Sequence, residues 1–546
     1  MVTAWPLARV SSGPMDLPAL ERAYGELLAA FGDLVVAETR GAPVDPAGGS
    51  IAALRRRYRA GRRIVETGLA QLAEPGVDME PGDARAIQVM CGVLPWFDEI
   101  EPPPARRTAT RPDASTSTVD RAEARGRAAL YRRYGDAATS IRVGEEALDR
   151  LTVLGRLGTE PDPDARRALF VSLEPIWRTV DGDGGHRSPF QQLVETTARR
   201  WQIAGSPIEA NAQSVGFASG ALEPILREML ATWRTVLGPD RTEPWDYWYA
   251  IGGASRRLDR RIPQARLLEI NRAYLGALGA DPDGLGIVYD VLPRRGRPAV
   301  PVAFTIGMGA RVADQPSSGP WTPRPPWVFA TYATGGLGNL LELLHESGHA
   351  LHAAATRARP ALLELPVDDT AYAEGMADLL GWDATEPGWQ RRWLGDAAEP
   401  REAILDRYGG VMLDACWALF ELELYRDPGR RPSDIWTEIA ADALGIGPHP
   451  EWSWWAMRGQ LIDSPGYLAN YALSALIAAA LRARLLELRG PWWEGDPDWF
   501  SFVGERLFAP GAARPPSELL EAFLGRPVTA EPLLADLRRG AREPVR

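Results

Sequence analysis

The run Leu344-His345-Glu346-Ser347-Gly348-His349-Ala350-Leu351-His352 constrains this chain more than any other, holding three of its five histidines. Leu340, Leu341, Leu344 and Leu351 recur around it at helical spacing, so the run reads as an apolar helix. Residues four apart lie one turn apart on one helix face, so the imidazoles of His345 and His349 converge on one point. Neutral imidazoles so placed suit a single Zn²⁺ ion at roughly 2.0–2.1 Å. Glu346 is rotated around the helix from that pair. It reaches a water on the open side of the cation, which is the position of a general base. His352 points off the ligand direction and reads as structural.

A catalytic site of this kind needs a third protein ligand. Glu374, in Ala371-Tyr372-Ala373-Glu374-Gly375-Met376-Ala377-Asp378, follows His349 by 25 residues, room for one loop and a returning helix. Asp378 lies one turn on and faces the same way. It can accept the spare N–H of a ligand histidine and fix its tautomer. Asp368 and Asp369 are rivals by position, but read as a loop or a helix cap.

The rest of the chain reads mostly as helix. Leu20, Tyr24, Leu27, Leu28 and Phe31 keep helical spacing after Asp16, a capping residue, and Pro18. Ser188-Pro189 and Ser206-Pro207 open further helices, with Glu209 at capping-box distance from Ser206. Residues 102–120 are rich in Pro, Ser and Thr without periodicity and predict a surface loop. Between residues 284 and 334 the pattern changes. Ile287–Leu292, Val300–Ile306 and Trp327–Tyr332 are short β-rich segments bounded by Gly and Pro, a small sheet in a helical protein. The expected organisation is a helical N-terminal lobe, 1–285, and a lobe of small sheet, motif helix and further helices, 286–546.

Composition narrows the function classes. The 546 residues carry a net charge of −11, with no lysine, which argues against a nucleic-acid partner. The arginines of 55–59 read as a solvated helix face in so acidic a chain. Cys91 and Cys416 are far apart and predict no disulfide framework. The start has no signal-peptide pattern, and the most apolar stretch, residues 466–481, falls short of a spanning helix. A soluble, cytoplasmic protein without a membrane partner is expected. Trp452, Trp454 and Trp455 read as packed core or channel wall, and His186 as a loop residue.

With these residues in hand, HESGHALH followed by Glu374 resembles the thimet oligopeptidase/oligopeptidase F family of zinc metallopeptidases (peptidase family M3), of the gluzincins. The likeness covers roughly residues 245–485. It includes VYDVLPRRGRPAVPVAFTIG and WVFATYATGG, similar to that family's sheet and edge strand, and Pro465–Ala472, similar to its tyrosine-rich loop. The resemblance implies a mainly α, two-lobed fold around a deep central channel, with the small sheet beside the zinc helix. It implies that His345, His349 and Glu374 bind zinc, that Glu346 activates water, and that Tyr471 and Tyr467 are the candidate donors to the oxyanion. It also implies short peptides as substrates. Trp327–Thr334 should run beside the metal and pair with an extended peptide.

Two departures stand out. The family carries a histidine shortly before the tyrosines, whereas Leu461–Ser464 has none. His449 can substitute if its loop folds over the site. The ExxxD of Glu374 and Asp378 is closer to thermolysin and the angiotensin-converting-enzyme relatives. Sequence alone also leaves standing a carboxypeptidase or dipeptidyl carboxypeptidase on a related fold, and a catalytically silent peptide-binding homologue.

Overall fold

The computed structural model describes residues 15–42, 50–72, 79–94, 118–183, 188–294, 296, 299–300, 302–310, 315–316 and 319–542. The expectations for His186, the chain start and most of the 102–120 segment lie outside them. Helix makes up 69% of the structure, with two small sheets. The first helix, Leu17–Arg40, opens as its sequence dictates. Asp16 Oδ1 accepts from the Ala19 N–H at 2.8 Å, Pro18 sits in the first turn, and Leu20, Tyr24, Leu27 and Leu28 are buried. Ile51–Leu72 and Pro81–Val93 pack with it into an N-terminal wall. Arg55 and Arg57 pair with Glu38 and Glu26 of the first helix on an exposed face, as the acidic composition predicts.

Among the described residues there are two large apolar cores and a small third cluster of Val36, Met308 and Phe329. The larger joins residues 130–537, drawing on both sides of residue 285. The smaller ties the N-terminal wall to Trp321, the 358–363 segment and Ala512. Trp454 and Trp455 are buried in the larger core. Residues 466–481 belong largely to the buried helix Ala469–Arg489, and no described helix is long and apolar enough to cross a membrane. Both cysteines are free, Cys416 buried and Cys91 exposed.

Two local expectations change. The Ser206 side chain makes no capping bond and its hydroxyl is buried without a partner; Glu209 instead accepts from the Gly220 N–H at 2.8 Å. A loop closed by a longer-range bond has replaced the capping box. The three β-rich segments do form one sheet, of Val288–Asp290, Phe304–Ile306 and Trp327–Phe329. Its order corrects the sequence reading. Trp327–Phe329 is the central strand, parallel to Val288–Asp290 and antiparallel to Phe304–Ile306. Val328 and Phe329 are fully buried, and a strand apolar on both faces takes the middle of a sheet. The strand with an outer edge toward the site is therefore Phe304–Ile306. The hairpin Ile141–Val143 with Glu146–Leu148 had no sequence forecast.

After the sheet, Gly335-Gly336 turns the chain into the motif helix, Leu337–Ala355. Gly336 sits at φ +108°, and a β-carbon on Gly335 would come within 1.8 Å of the Ile262 carbonyl. Only glycine fits both positions. The motif helix packs on Thr370–Gly381, which packs in turn on Ala469–Arg489.

Candidate metal centre and active site

The motif helix and the helix Thr370–Gly381 bring His345, His349 and Glu374 together, with one potential ligand atom from each lying within 4.8 Å of the others. Glu374 Oε2 is 3.2 Å from His345 Nε2 and 3.9 Å from His349 Nε2. Ligands at zinc distances subtend edges of about 3.3 Å in a tetrahedron, a spacing that the His345–Glu374 pair already meets. The other nitrogen of His345, Nδ1, is 2.9 Å from Asp378 Oδ1. That bond assigns the Nδ1 proton to the carboxylate side and aims the Nε2 lone pair at the centre. Donor type, spacing and this orientation fit a divalent metal of the zinc class.

Electrostatics agree with that fit. Burial works to lower the His345 pKa, but the carboxylates of Asp378 and Glu374 outweigh it and hold it well above the usual imidazole range. Burial, reinforced by the neighbouring His345 charge, lowers His349. Burial works to raise Glu374, and the two histidines override it and lower its pKa. The group is thus a pair of carboxylates that demand positive charge, which a proton on His345 or a metal ion can supply.

Glu346 is buried, lines the adjoining cavity, and is held by a residue the sequence did not single out. Thr305 Oγ1, on the edge strand, lies 2.7 Å from Glu346 Oε2 and 2.9 Å from its carbonyl oxygen. The helix behind is anchored at Ser347, whose hydroxyl is 3.0 Å from Tyr289 Oη, 3.0 Å from Asn271 Oδ1 and 2.7 Å from the Leu343 carbonyl. Nothing local in the sequence marks Thr305, which reaches Glu346 across 41 positions.

The remaining candidates divide. Tyr467 and Tyr471 both line the cavity, their rings 5.6 Å apart, and Tyr467 Oη approaches Glu374 Oε1 at 3.5 Å. Burial pushes Tyr471 up to about 12, so it stays protonated and able to donate; the Arg458 guanidinium sits 5.4 Å over its ring. His449 does not join the site, so the condition for it to substitute for the family's histidine, a loop folded over the site, is not met. It is held between Glu451 (2.8 Å) and Glu243 (2.7 Å), stacks on Trp452, and is absent from the cavity lining. Two carboxylates and a parallel indole satisfy it where it lies. His352 is buried against Phe508, its pKa pushed down to about 3 by desolvation, as a structural imidazole should be. Asp369 pairs with Arg85 at 3.6 Å rather than with the histidines, and Asp368 is exposed.

The cavity measures about 600 Å³. Its walls come from the first helix (Leu28, Phe31), the edge strand and the following Gly307 to Gly309, the motif helix, and Tyr467 and Tyr471.

The fold is that of helical metallopeptidases. At 15% identity and a TM-score of 0.56, the chain is similar to the M32 carboxypeptidase from Deinococcus radiodurans R1, over 96% of this chain and 98% of that one. A protein assigned provisionally as oligoendopeptidase F aligns at 14% identity and TM-score 0.55 over 98% and 97% of the two chains. PZ peptidase A aligns at 13% and 0.54 over 97% and 98%. No family model matches the chain, and no curated protein sequence does.

Proposed function

We propose that the chain is a zinc-dependent peptidase that cleaves short peptides inside its cavity. The observation that carries this reading is the meeting of His345, His349 and Glu374 beside a buried Glu346 on one cavity wall. His345, His349 and Glu374 would hold the zinc ion, which would supply a Lewis acid that acidifies water and polarises a carbonyl. Glu346, fixed by Thr305, takes the proton of the attacking water and delivers it to the leaving amine. Asp378 keeps His345 in its ligating tautomer. Tyr471, protonated at neutral pH, donates to the oxyanion, with Tyr467 beside it as the second candidate. One such donor is typically worth about 2.7–4 kcal/mol. The outer edge of Phe304–Ile306 offers backbone groups to an extended peptide.

Glu346→Gln tests the reading. Zinc content, measured by elemental analysis, should stay at one per chain while hydrolysis of a peptide mixture falls by at least a hundredfold. Undiminished hydrolysis would remove Glu346 from the mechanism. Mass spectra of the products also separate the modes of cleavage, since a ladder losing only C-terminal residues would assign carboxypeptidase action instead.

A further inference from the structure

Several buried or half-buried acids among the described residues are matched by arginine. Asp414 has Arg458 at 2.8 Å, Asp383 and Glu386 have Arg482, and Glu21 has Arg359 at 3.0 Å. Glu364, half-buried, is different. It lines the cavity, and no described hydrogen bond or ion pair reaches it. Desolvation alone pushes its pKa up to about 7, with no cation acting on it. The Tyr24 hydroxyl, fully buried on the first helix and also without a partner, lies close enough to feel the Glu364 charge. An acid kept in a desolvated wall without compensation costs free energy on folding, so the arrangement calls for a ligand.

Its position indicates which ligand. The Glu364 carboxylate lies against Gly307, where a β-carbon would come within 2.4 Å of Oε1. Gly307 follows the edge strand directly, two residues beyond Thr305, which holds Glu346. Two residues of extended chain span on the order of 7 Å. A peptide on this edge therefore passes the proton-transferring carboxylate and then meets Glu364 one or two residues later. The strand is paired with Trp327–Phe329 on its inner side, and the first helix closes over the 307–309 segment at Gly32.

Resting on the peptidase reading above, we infer that Glu364 is a specificity-determining residue that binds a cationic nitrogen of the substrate, an N-terminal ammonium or a basic side chain, on the side of the scissile bond facing Gly307. The carboxylate also fixes chain direction. An ammonium end is attracted to Glu364, whereas a C-terminal carboxylate would be repelled, so the peptide runs antiparallel to Phe304–Ile306 with its N-terminal part toward Gly307.

The test uses zinc-loaded, full-length Glu346→Gln protein, which binds peptides without consuming them, and isothermal calorimetry at pH 8. Three hexapeptides of one sequence serve as probes: a free N-terminus, an acetylated N-terminus, and an acetylated form with Arg replacing a neutral residue one or two positions before the scissile bond. At least one cationic probe should bind tenfold or more tighter than the neutral one, and which one identifies the source of the cation. Adding Glu364→Gln should erase that preference. A preference that survives Glu364→Gln, or equal binding of all three probes, overturns the role of Glu364 and leaves the peptidase reading intact. No binding of any probe, with no hydrolysis by the unmutated protein, overturns both. Removing an unpaired, half-buried charge should leave the melting temperature of Glu364→Gln at or above its parent's. A fall of many degrees would make Glu364 a structural residue instead.

Discussion

The proposed general base would work only if its carboxylate is held where the water will be, and here one hydroxyl holds it. Thr305 offers a single proton shared between Glu346 Oε2 at 2.7 Å and the Glu346 carbonyl at 2.9 Å. Thr305→Val removes that proton at nearly constant volume. It should lower kcat about tenfold, in keeping with the ~1.4 kcal/mol of one lost bond to a charged group, while zinc content stays unchanged. Steady-state kinetics beside metal analysis check this, and an unchanged kcat would mean that packing alone orients Glu346. The contrast with the candidate metal ligands explains what a sequence can disclose at this scale. His345, Glu346 and His349 lie within one helical turn, so periodicity alone puts them on neighbouring faces, and Asp378 follows from Glu374 by the same rule. Thr305, Glu364 and the fate of His449 depend on which distant segments touch. Those contacts are decided by packing, and no local pattern encodes them.

Elements were legible in kind and less so in arrangement. Helical spacing and Gly/Pro punctuation predicted the motif helix, the first helix and three strands, but the strand order depended on which segment was most deeply buried. The stacking of the three site helices is also a matter of glycines whose role appears only on assembly. A β-carbon on Gly348 would come within 2.7 Å of Ala377 Cα and 2.8 Å of its carbonyl oxygen. Gly375 meets Ile477 in the same way, at 2.8 Å, on the opposite side of the Glu374 helix. These close approaches set how near Glu374 comes to the histidines. Gly348→Ala sets two effects against each other. Helix propensity would gain up to about 1 kcal/mol, while overpacking against backbone costs about 1–3 kcal/mol. Since the obstructing atoms are main chain and cannot rotate away, the loss should win. The variant should melt lower and bind zinc more weakly. Gly338→Ala, on the same helix with open space around it, should melt no lower than its parent. If Gly348→Ala melted higher, the helix contact would be looser than described.

At the scale of the whole molecule, the cavity unites parts of the chain that are far apart in sequence, from Leu28 on the first helix to Gly511 near the end. The candidate ligands come from two helices, so a bound cation would clamp them together, and its binding free energy would become folding free energy. At a thousandfold excess of free zinc over its dissociation constant the gain is about 4 kcal/mol. In a chain of 546 residues such a gain appears as a rise of several degrees in melting temperature. Chelation should remove the rise together with peptide hydrolysis, and added zinc should restore both. The same rise should shrink as pH falls. Asp378 and Glu374 raise the affinity of His345 for a proton, so acid makes the proton a stronger competitor for the place a metal would take. Glu374→Ala and His349→Ala, each removing one ligand, should flatten the response at every pH, whereas His449→Ala, away from the cavity, should leave it intact. Differential scanning calorimetry with and without chelator decides the matter. A response that persisted in Glu374→Ala would place the stabilising ion elsewhere in the molecule.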